Sequence, residues 1–413
     1  MSAIVETLRR VGGAQRREHV PSVVVGLGHG ATHWISATLY ILLPFIGRDM
    51  GLSYTEIGSL VSLLYVASFC TNVVSGPLVD LIGRQIAFQA AALLIGGVAL
   101  IGLGFASSVL VLAGFVVLIG ISISLWHPAA FTYLARRYPG ARGFVLSLHN
   151  LGASFGDTMA PLVAGFLLTM FAWNETALIS SIPMFVMLAL VLTVLREPPG
   201  AAAPRPAAKR RGDYLRGLAV LVRNGALLRL FLMSGLRSAV QNGLLVFLPL
   251  YLVGVLAASP ATVGSTVMTL QLGGLIAGPL AGIWSDRVGR RPIAFAGLAA
   301  TTALIAAVTL VPSTAGLIVL AGLTGFAIFA VRPVVHGWTV DLAADETSGS
   351  AVSLLFMAQV AITSLVPLVG GMIADSWGLE AVFYILPAIS LAAAAIAASM
   401  PAGERARATA PGR

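Results

Sequence analysis

The chain has 413 residues, of which 58% are hydrophobic and 10% are charged, with a formal net charge of +9. Soluble domains carry about 25% charged residues, so this composition excludes a soluble protein that covers its surface with polar groups. The single cysteine, Cys70, excludes a disulfide within the chain and a cysteine-rich metal site.

Apolar runs of about the length that a helix needs to cross a bilayer recur along the whole chain. Backbone in lipid must form helices or closed barrels, and these runs are too long for barrel strands. The sequence therefore predicts an all-α integral membrane fold. The twelve predicted spans are 21–47, 56–80, 85–106, 107–135, 143–170, 174–195, 225–255, 260–284, 291–312, 314–340, 348–374 and 380–400.

Lysine and arginine predict the orientation in the membrane. With twelve spans, the basic segments 1–20, 196–224 and 401–413 and the other arginine-rich loops lie on one side, and the opposite loops hold only Arg48. Both termini are therefore predicted to be cytoplasmic in a multi-pass protein of the cytoplasmic (inner) membrane. The polar start and full-length first span predict no cleavable signal peptide. Because this topology explains the basic charge, no nucleic-acid partner is expected.

The chain contains an internal repeat. The Pro-rich, basic segment 196–213 has the composition of a linker, and sequences on its two sides match at an offset of about 205 residues. Matches at one offset and in one order indicate duplication, which predicts six-helix bundles at 21–195 and 225–400. The matching pairs are Leu43-Pro44 with Leu248-Pro249, GPLVDLIGR at 76–84 with GIWSDRVGR at 282–290, His127-Pro128 with Arg332-Pro333, and Pro161 and Gly165 with Pro367 and Gly371.

The repeated loop resembles the loop motif of the major facilitator superfamily, whose members have two parallel six-helix halves. The resemblance implies alternating access and a cytoplasmic gate in which this loop latches the halves together. The alternative is an ordinary helix-capping turn. The gate residues implied are Gly76, Asp80, Gly83 and Arg84 in the first copy and Asp286, Gly289 and Arg290 in the second.

Two further stretches resemble bacterial drug exporters of the fosmidomycin-resistance type. They are LWHPAAFTYLARR at 125–137 and SLHNLGASFGDTMAPL at 147–162. The second is also similar to the glycine-rich antiporter motif of helix 5, with Gly152, Gly156 and Pro161, although Ala160 stands where glycine is common. This resemblance implies export.

Polar residues inside predicted spans are candidates for a substrate site, because burying them in lipid is costly. In the resembling family, helices 1, 4, 7 and 10 line a central cavity, and most of the ionisable residues fall there. Structural pairing between helices is the alternative. The candidates are His29, His33, Ser36 and Tyr40 in span 1, His127 in span 4, Arg237 and Gln241 in span 7, and Arg332 and His336 in span 10.

Proton coupling needs groups that titrate near the working pH. Asp157 is the first candidate, followed by His33, His127 and His149. A packing hydrogen bond is the alternative for Asp157, and either Arg237 or Arg332 could be its partner. An arginine left unpaired would attract a carboxylate or phosphate.

The sequence therefore predicts a secondary transporter, in monomeric form, that moves a small organic compound with protons. Export is the first expectation, and proton-coupled import of an organic anion is the alternative. A divalent-metal transporter using His29 and His33 is a further rival, although HxxxH alone supplies too few ligands. No enzyme motif or cofactor site is predicted, since the glycines of PSVVVGLGHG are wrongly spaced for a dinucleotide fold.

Overall fold

A computed structural model describes residues 15–197, 221, 223–343 and 348–400. These residues form helices joined by short turns and contain no strand. The predicted segments 1–20, 196–224 and 401–413 lie wholly or largely outside the described residues. The all-α prediction is confirmed within the described ranges.

The helices follow the predicted spans, and their ends agree to within about one turn except at the start of α1 and at the end of α9, where the helix stops six residues early and a 3₁₀ turn, Val308–Leu310, follows. The helices are α1 Gln15–Met50, α2 Tyr54–Ile82, α3 Gln85–Gly104, α4 Val109–Arg137, α5 Arg142–Leu167, α6 in two segments Trp173–Ser180 and Ile182–Val194, α7 Gly225–Gly254, α8 Pro260–Val288, α9 Arg290–Ala306, α10 Thr314–Leu342, α11 in two segments Ser348–Thr363 and Val366–Trp377, and α12 Leu379–Ser399.

Short polar residues determine where several helices begin. Ser53 and Glu56 form a reciprocal cap at the start of α2, with Glu56 N donating to Ser53 Oγ at 3.2 Å and Ser53 N to Glu56 Oε2 at 2.8 Å. Asn224 and Ser259 cap α7 and α8 through one side chain each, which accepts from backbone N–H groups of the first turn. Pro183 and Pro367 are the second residues of the second segments of α6 and α11, where the helix is interrupted because proline cannot donate the backbone hydrogen bond of a continuous helix.

Ten of the described helices are long and apolar enough to cross a membrane. The two remaining predicted spans, α1 and α5, carry the densest group of intramembrane polar residues. Large apolar side chains are exposed on the outer surface, including Leu81, Leu110 and Leu310 at 84%, 83% and 77%. Such exposure fits a surface that lipid covers.

The described residues form two compact units. Unit 1 comprises the described parts of Met1–Leu39, Ala67–Ala160 and Phe171–Arg205, and Trp126 and Tyr133 are fully buried inside it. Unit 2 comprises the described parts of Tyr40–Val66, Pro161–Met170 and Pro206–Arg413, with Trp338 in its core. The predicted bundles 21–195 and 225–400 remain a prediction.

A pair of close helix crossings inside unit 2 repeats at the sequence offset. A Cβ added to Gly264 of α8 would overlap the carbonyl oxygen of Pro161 in α5, and one added to Gly58 of α2 would overlap that of Pro367 in α11. The offsets are identical, 264 − 58 = 206 and 367 − 161 = 206. The sequence repeat is therefore also a repeat in packing.

Candidate functional site

Glycines bring α1 and α5 of unit 1 into backbone contact. A Cβ added to Gly30 would lie 2.6 Å from the carbonyl oxygen of Gly152, and one added to Gly152 or Gly156 would overlap the α1 backbone at Gly26 or Gly30. Small residues allow helices to approach this closely. The glycine motif of α5 thus has a local packing role, and it places polar groups of α5 beside the histidines of α1.

His29 is held by the α5 backbone and ring. Its Nδ1 donates to the carbonyl oxygen of His149 at 2.8 Å, and the two rings stack at 3.7 Å between centroids. Because a carbonyl oxygen only accepts, Nδ1 carries the hydrogen and the neutral ring leaves a lone pair on Nε2. The side chain of His29 is 3% exposed, so it is buried rather than presented at an open surface.

His127 of α4 faces His29 with the same tautomer. Its Nδ1 donates to the carbonyl oxygen of Ile123 at 2.8 Å, and its Nε2 lies 3.2 Å from Nε2 of His29. Both Nε2 atoms therefore present lone pairs to each other when the rings are neutral. Two acceptors at this distance repel unless a proton or another cation lies between them.

His33 and Asp157 form a hydrogen bond between α1 and α5. His33 Nδ1 lies 3.0 Å from Asp157 Oδ2, and both side chains are about one quarter exposed. The carboxylate therefore has an imidazole as its partner, although the sequence also allowed an arginine. The His33 ring lies edge-on to His29 at 4.7 Å, so the pair is continuous with the His29–His127 contact.

Buried side chains around this cluster were not found from the sequence. The indole Nε1 of Trp126 donates to His149 Nε2 at 3.2 Å and so orients the ring that stacks on His29. Gly28 of α1 provides space for this indole, since an added Cβ would lie 2.8 Å from Trp126 Cζ2. The term histidine cluster denotes the group His29, His33, His127, His149 and Asp157.

The other two candidates of α1 have different partners. The hydroxyl of Ser36 donates to the carbonyl oxygen of His33 in its own helix, at 3.0 Å. In unit 2, the hydroxyl groups of Tyr40 and Tyr65 lie 2.7 Å apart, and Tyr65 donates to Asn242 Oδ1 at 2.7 Å. Neither Tyr65 nor Asn242 was predicted, because a lone tyrosine or asparagine in a span gives no periodic signal.

Arg237 is a buried cation with neutral partners. It donates to Gln241 Oε1 at 2.8 Å, to Ser238 Oγ at 3.0 Å and to the carbonyl oxygen of Ile328 at 3.3 Å. Its side chain is 3% exposed, its Nε has no partner, and no carboxylate of the described residues forms an ion pair with it. A buried charge without a counter-charge is costly and suits an anionic ligand.

Two predicted substrate-site residues of α10, Arg332 and His336, lie close enough to Arg237 to interact with its charge. Arg332 is exposed and interacts with Arg237 through charge, and His336 interacts with both arginines. His336 Nε2 is buried without a hydrogen-bond partner. The predicted arginine and histidine candidates of unit 2 therefore lie in one positively charged region.

The two copies of the gate loop share a backbone feature. Gly83 and Gly289 have φ of +69° and +104°, a region that other residues rarely adopt. Each glycine directly follows a helix, α2 or α8, and directly precedes the arginine at the start of the next helix, α3 or α9. An added Cβ at Gly76 or Gly282 would meet no atom within 4 Å, so local packing does not require those two glycines.

In the second copy, the arginine is held within unit 2. Arg290 Nε donates to Asp341 Oδ2 at 2.9 Å, and its NH1 group donates to Asp286 and, at 2.6 Å, to Ser285 Oγ. Asp341 lies in the last turn of α10, so these bonds connect the loop with that helix. In the first copy, Glu197 accepts from Ile86 N at 2.9 Å and caps α3, while Asp80 and Arg84 are exposed.

The fold and its intramembrane polar clusters define a multi-pass membrane transporter. A family model described as the Major Facilitator Superfamily matches residues 25–257 and 230–412. The chain belongs to the major facilitator superfamily. It is therefore a small-molecule transporter of a lipid bilayer and not an enzyme.

Similar proteins differ in what they carry. The chain is 24% identical over 394 residues to the phosphoglycerate transporter protein of Salmonella typhimurium, covering 88% of this chain and 84% of that protein. It is 25% identical over 364 residues to the multidrug resistance protein MdtG of Enterobacter lignolyticus, covering 84% of both. For several further relatives the match spans 35% to 39% of their own length.

The fold is also that of solved transporter structures. A bacterial homologue of the human lysosomal transporter Spinster superposes with a TM-score of 0.77 at 15% identity, and the match covers 94% of this chain and 97% of that one. At this identity the likeness shows the fold alone.

Proposed function

We propose that the protein is a proton-coupled secondary transporter that exports a small organic compound by alternating access of two six-helix halves. It would act as a monomer in the cytoplasmic membrane with both termini inside. The packing repeat at an offset of 206 residues and the one-sided arginines support this organisation.

The observation that carries proton coupling is the pair of facing Nε2 atoms of His29 and His127, 3.2 Å apart. Both Nδ1 atoms donate to backbone carbonyl oxygens, so a single proton between the Nε2 atoms turns repulsion into a hydrogen bond. His33 and Asp157 extend the cluster toward its more exposed end. A site that holds one proton and can release it is what coupling requires.

The substrate is proposed to be an organic anion, because Arg237 is buried among neutral partners. Arginine stays charged in such a site and binds carboxylate or phosphate groups with two parallel hydrogen bonds. The relative that carries phosphoglycerate is consistent with an anion. Gln241, Arg332 and His336 would complete this part of the substrate site.

The direction of transport rests on the resemblance of α5 to the antiporter motif and on the relative named for multidrug resistance. Import of an organic anion is the second candidate, and the phosphoglycerate-carrying relative favours it. The gate residues of the two loops would latch the cytoplasmic side during the cycle, with Arg290 held by Asp286 and Asp341.

The test begins with a thermal-shift panel of phosphonates, carboxylates and lipophilic cations on the purified protein at pH 6 and pH 8. A stabilising compound is then followed in proteoliposomes with an imposed pH gradient and an internal pH dye. Coupled export predicts proton movement opposite to the compound and loss of that movement in His127→Gln. A transport rate that does not depend on the pH gradient would contradict proton coupling. Proton movement in the same direction as the compound would favour import.

A further inference from the structure

Three imidazoles of the histidine cluster have the hydrogen bonds that metal-binding histidines have. Nδ1 of His29 bonds to the carbonyl oxygen of His149, and Nδ1 of His127 bonds to the carbonyl oxygen of Ile123. Nδ1 of His33 bonds to the carboxylate of Asp157. A metal-bound histidine typically donates its other ring N–H to such a partner, which sets its tautomer and orientation. Each of the three residues could offer one ring nitrogen to a metal ion, and with Nδ1 engaged that nitrogen would be Nε2.

The spacing of the nitrogens suits a tetrahedral metal ion. Zinc binds imidazole nitrogen at about 2.0–2.1 Å, which places two ligands of a tetrahedral site about 3.3–3.4 Å apart. The Nε2 atoms of His29 and His127 are 3.2 Å apart, and one nitrogen of each of the three rings lies within 4.8 Å of the other two. The side chain of His33 is about one quarter exposed, so its ring has room to move toward the other two.

We propose that His29, His33 and His127 form a binding site for a zinc-like transition-metal ion, with three imidazole ligands and a fourth position open to water or to a substrate donor. Imidazole is a preferred ligand of zinc, copper and nickel ions. The negative charge of Asp157 lies behind His33 and favours a cation at the cluster.

The metal competes with a proton for the same nitrogens. The groups that face the three ligands in unit 1 are Asp157, the ring of His149, which stacks on His29, and the ring of Phe131, which lies 6.3 Å from His127. Ligands must be deprotonated to bind, so the metal and a proton shared by these rings exclude each other. The site rests on this geometry alone, and it stands even if the transporter moves no protons.

The test uses the full-length protein purified in detergent with a histidine-free affinity tag. Isothermal titration with Zn²⁺ at pH 7.5 is expected to show one ion per chain, and Co²⁺ is expected to give the visible bands of a four-coordinate ion. Asp157→Asn, which removes the partner of His33, is expected to weaken binding about 10–100-fold. His127→Gln removes a ligand and is expected to lower the affinity further.

His19→Gln is the matched control. His19 lies on the same helix, and its ring contacts Tyr138 and Phe144 outside the cluster, so Zn²⁺ binding is expected to be unchanged. Absence of Zn²⁺ binding to the wild-type protein, or binding of wild-type strength in a His29→Gln/His127→Gln double variant, would overturn the proposal.

If a glutamine variant does not fold, the metal site can still be tested on the wild-type protein. With the wild-type protein, Co²⁺ is expected to give the intense visible bands of a four-coordinate ion, and added Zn²⁺ is expected to displace it. The weak bands of a six-coordinate ion, or Co²⁺ that Zn²⁺ does not displace, would overturn the site. Transport is measured separately in the presence of a chelator, so failure of proton coupling and failure of metal binding are distinguishable.

Discussion

The Gly30→Ala variant tests whether the α1–α5 backbone contact positions the histidine cluster. The added Cβ would lie 2.6 Å from the carbonyl oxygen of Gly152, whereas ordinary contact begins at 3.4 Å. If α1 and α5 move straight apart to relieve this overlap, they must separate by 3.4 − 2.6 = 0.8 Å. The bond from His29 Nδ1 to the carbonyl oxygen of His149 would then lengthen from 2.8 Å to 2.8 + 0.8 = 3.6 Å, at which it is no longer a hydrogen bond.

The expected net destabilisation is about 2 kcal/mol. Overpacking costs about 1–3 kcal/mol and the lost hydrogen bond about 0.5–1.5 kcal/mol, while alanine in place of glycine returns up to about 1 kcal/mol of helix propensity. At about 2–4 °C per kcal/mol for large domains, thermal unfolding in detergent is expected to begin several degrees lower.

Gly143→Ala is the matched control on α5, because an added Cβ there meets no atom within 4 Å. It should leave the unfolding temperature unchanged or raise it slightly. If Gly30→Ala unfolds at the same temperature as Gly143→Ala, the two helices are not held in backbone contact, and this contact does not position the histidine cluster.

Three other variants have distinct expected outcomes. Asp375→Ala removes the carboxylate that accepts from Tyr54 N at 2.9 Å and Thr55 N at 2.8 Å at the start of α2, and loss of a helix cap costs about 0.5–2 kcal/mol, measured as a lower unfolding temperature. Arg237→Gln should abolish stabilisation by anions in the thermal-shift panel. Asp341→Asn removes an exposed ion pair worth about 0–1 kcal/mol, so stability should barely change while the transport rate changes if the loop is a gate.

Each of these expectations has an outcome that contradicts it. An unchanged unfolding temperature in Asp375→Ala would mean that Ser53 alone caps α2. Anion stabilisation that survives Arg237→Gln would place the anion elsewhere. A transport rate in Asp341→Asn equal to that of the wild-type protein would leave Arg290 with a purely structural role.

Much of the architecture was readable from the sequence, because membrane spans and duplication are local or periodic properties. Apolar runs of about 20 residues predict helices wherever lipid excludes water, and the described helices follow them. The repeated Asp-x-x-Gly-Arg loop indicated the family, and the positive φ of Gly83 and Gly289 explains why glycine recurs there. His29 and His33 could also be placed on one face of α1 from their spacing alone.

Only the tertiary structure decided which groups meet. Helical spacing relates residues within one helix, but it does not say which faces of α4 and α5 turn toward α1. The packing brings Asp157 to His33, although its sequence allowed an arginine partner, and brings His127 to His29 with both Nε2 lone pairs facing each other. The glycines of α5, read from the sequence as an exporter motif, allow this convergence because no side chain separates the two backbones.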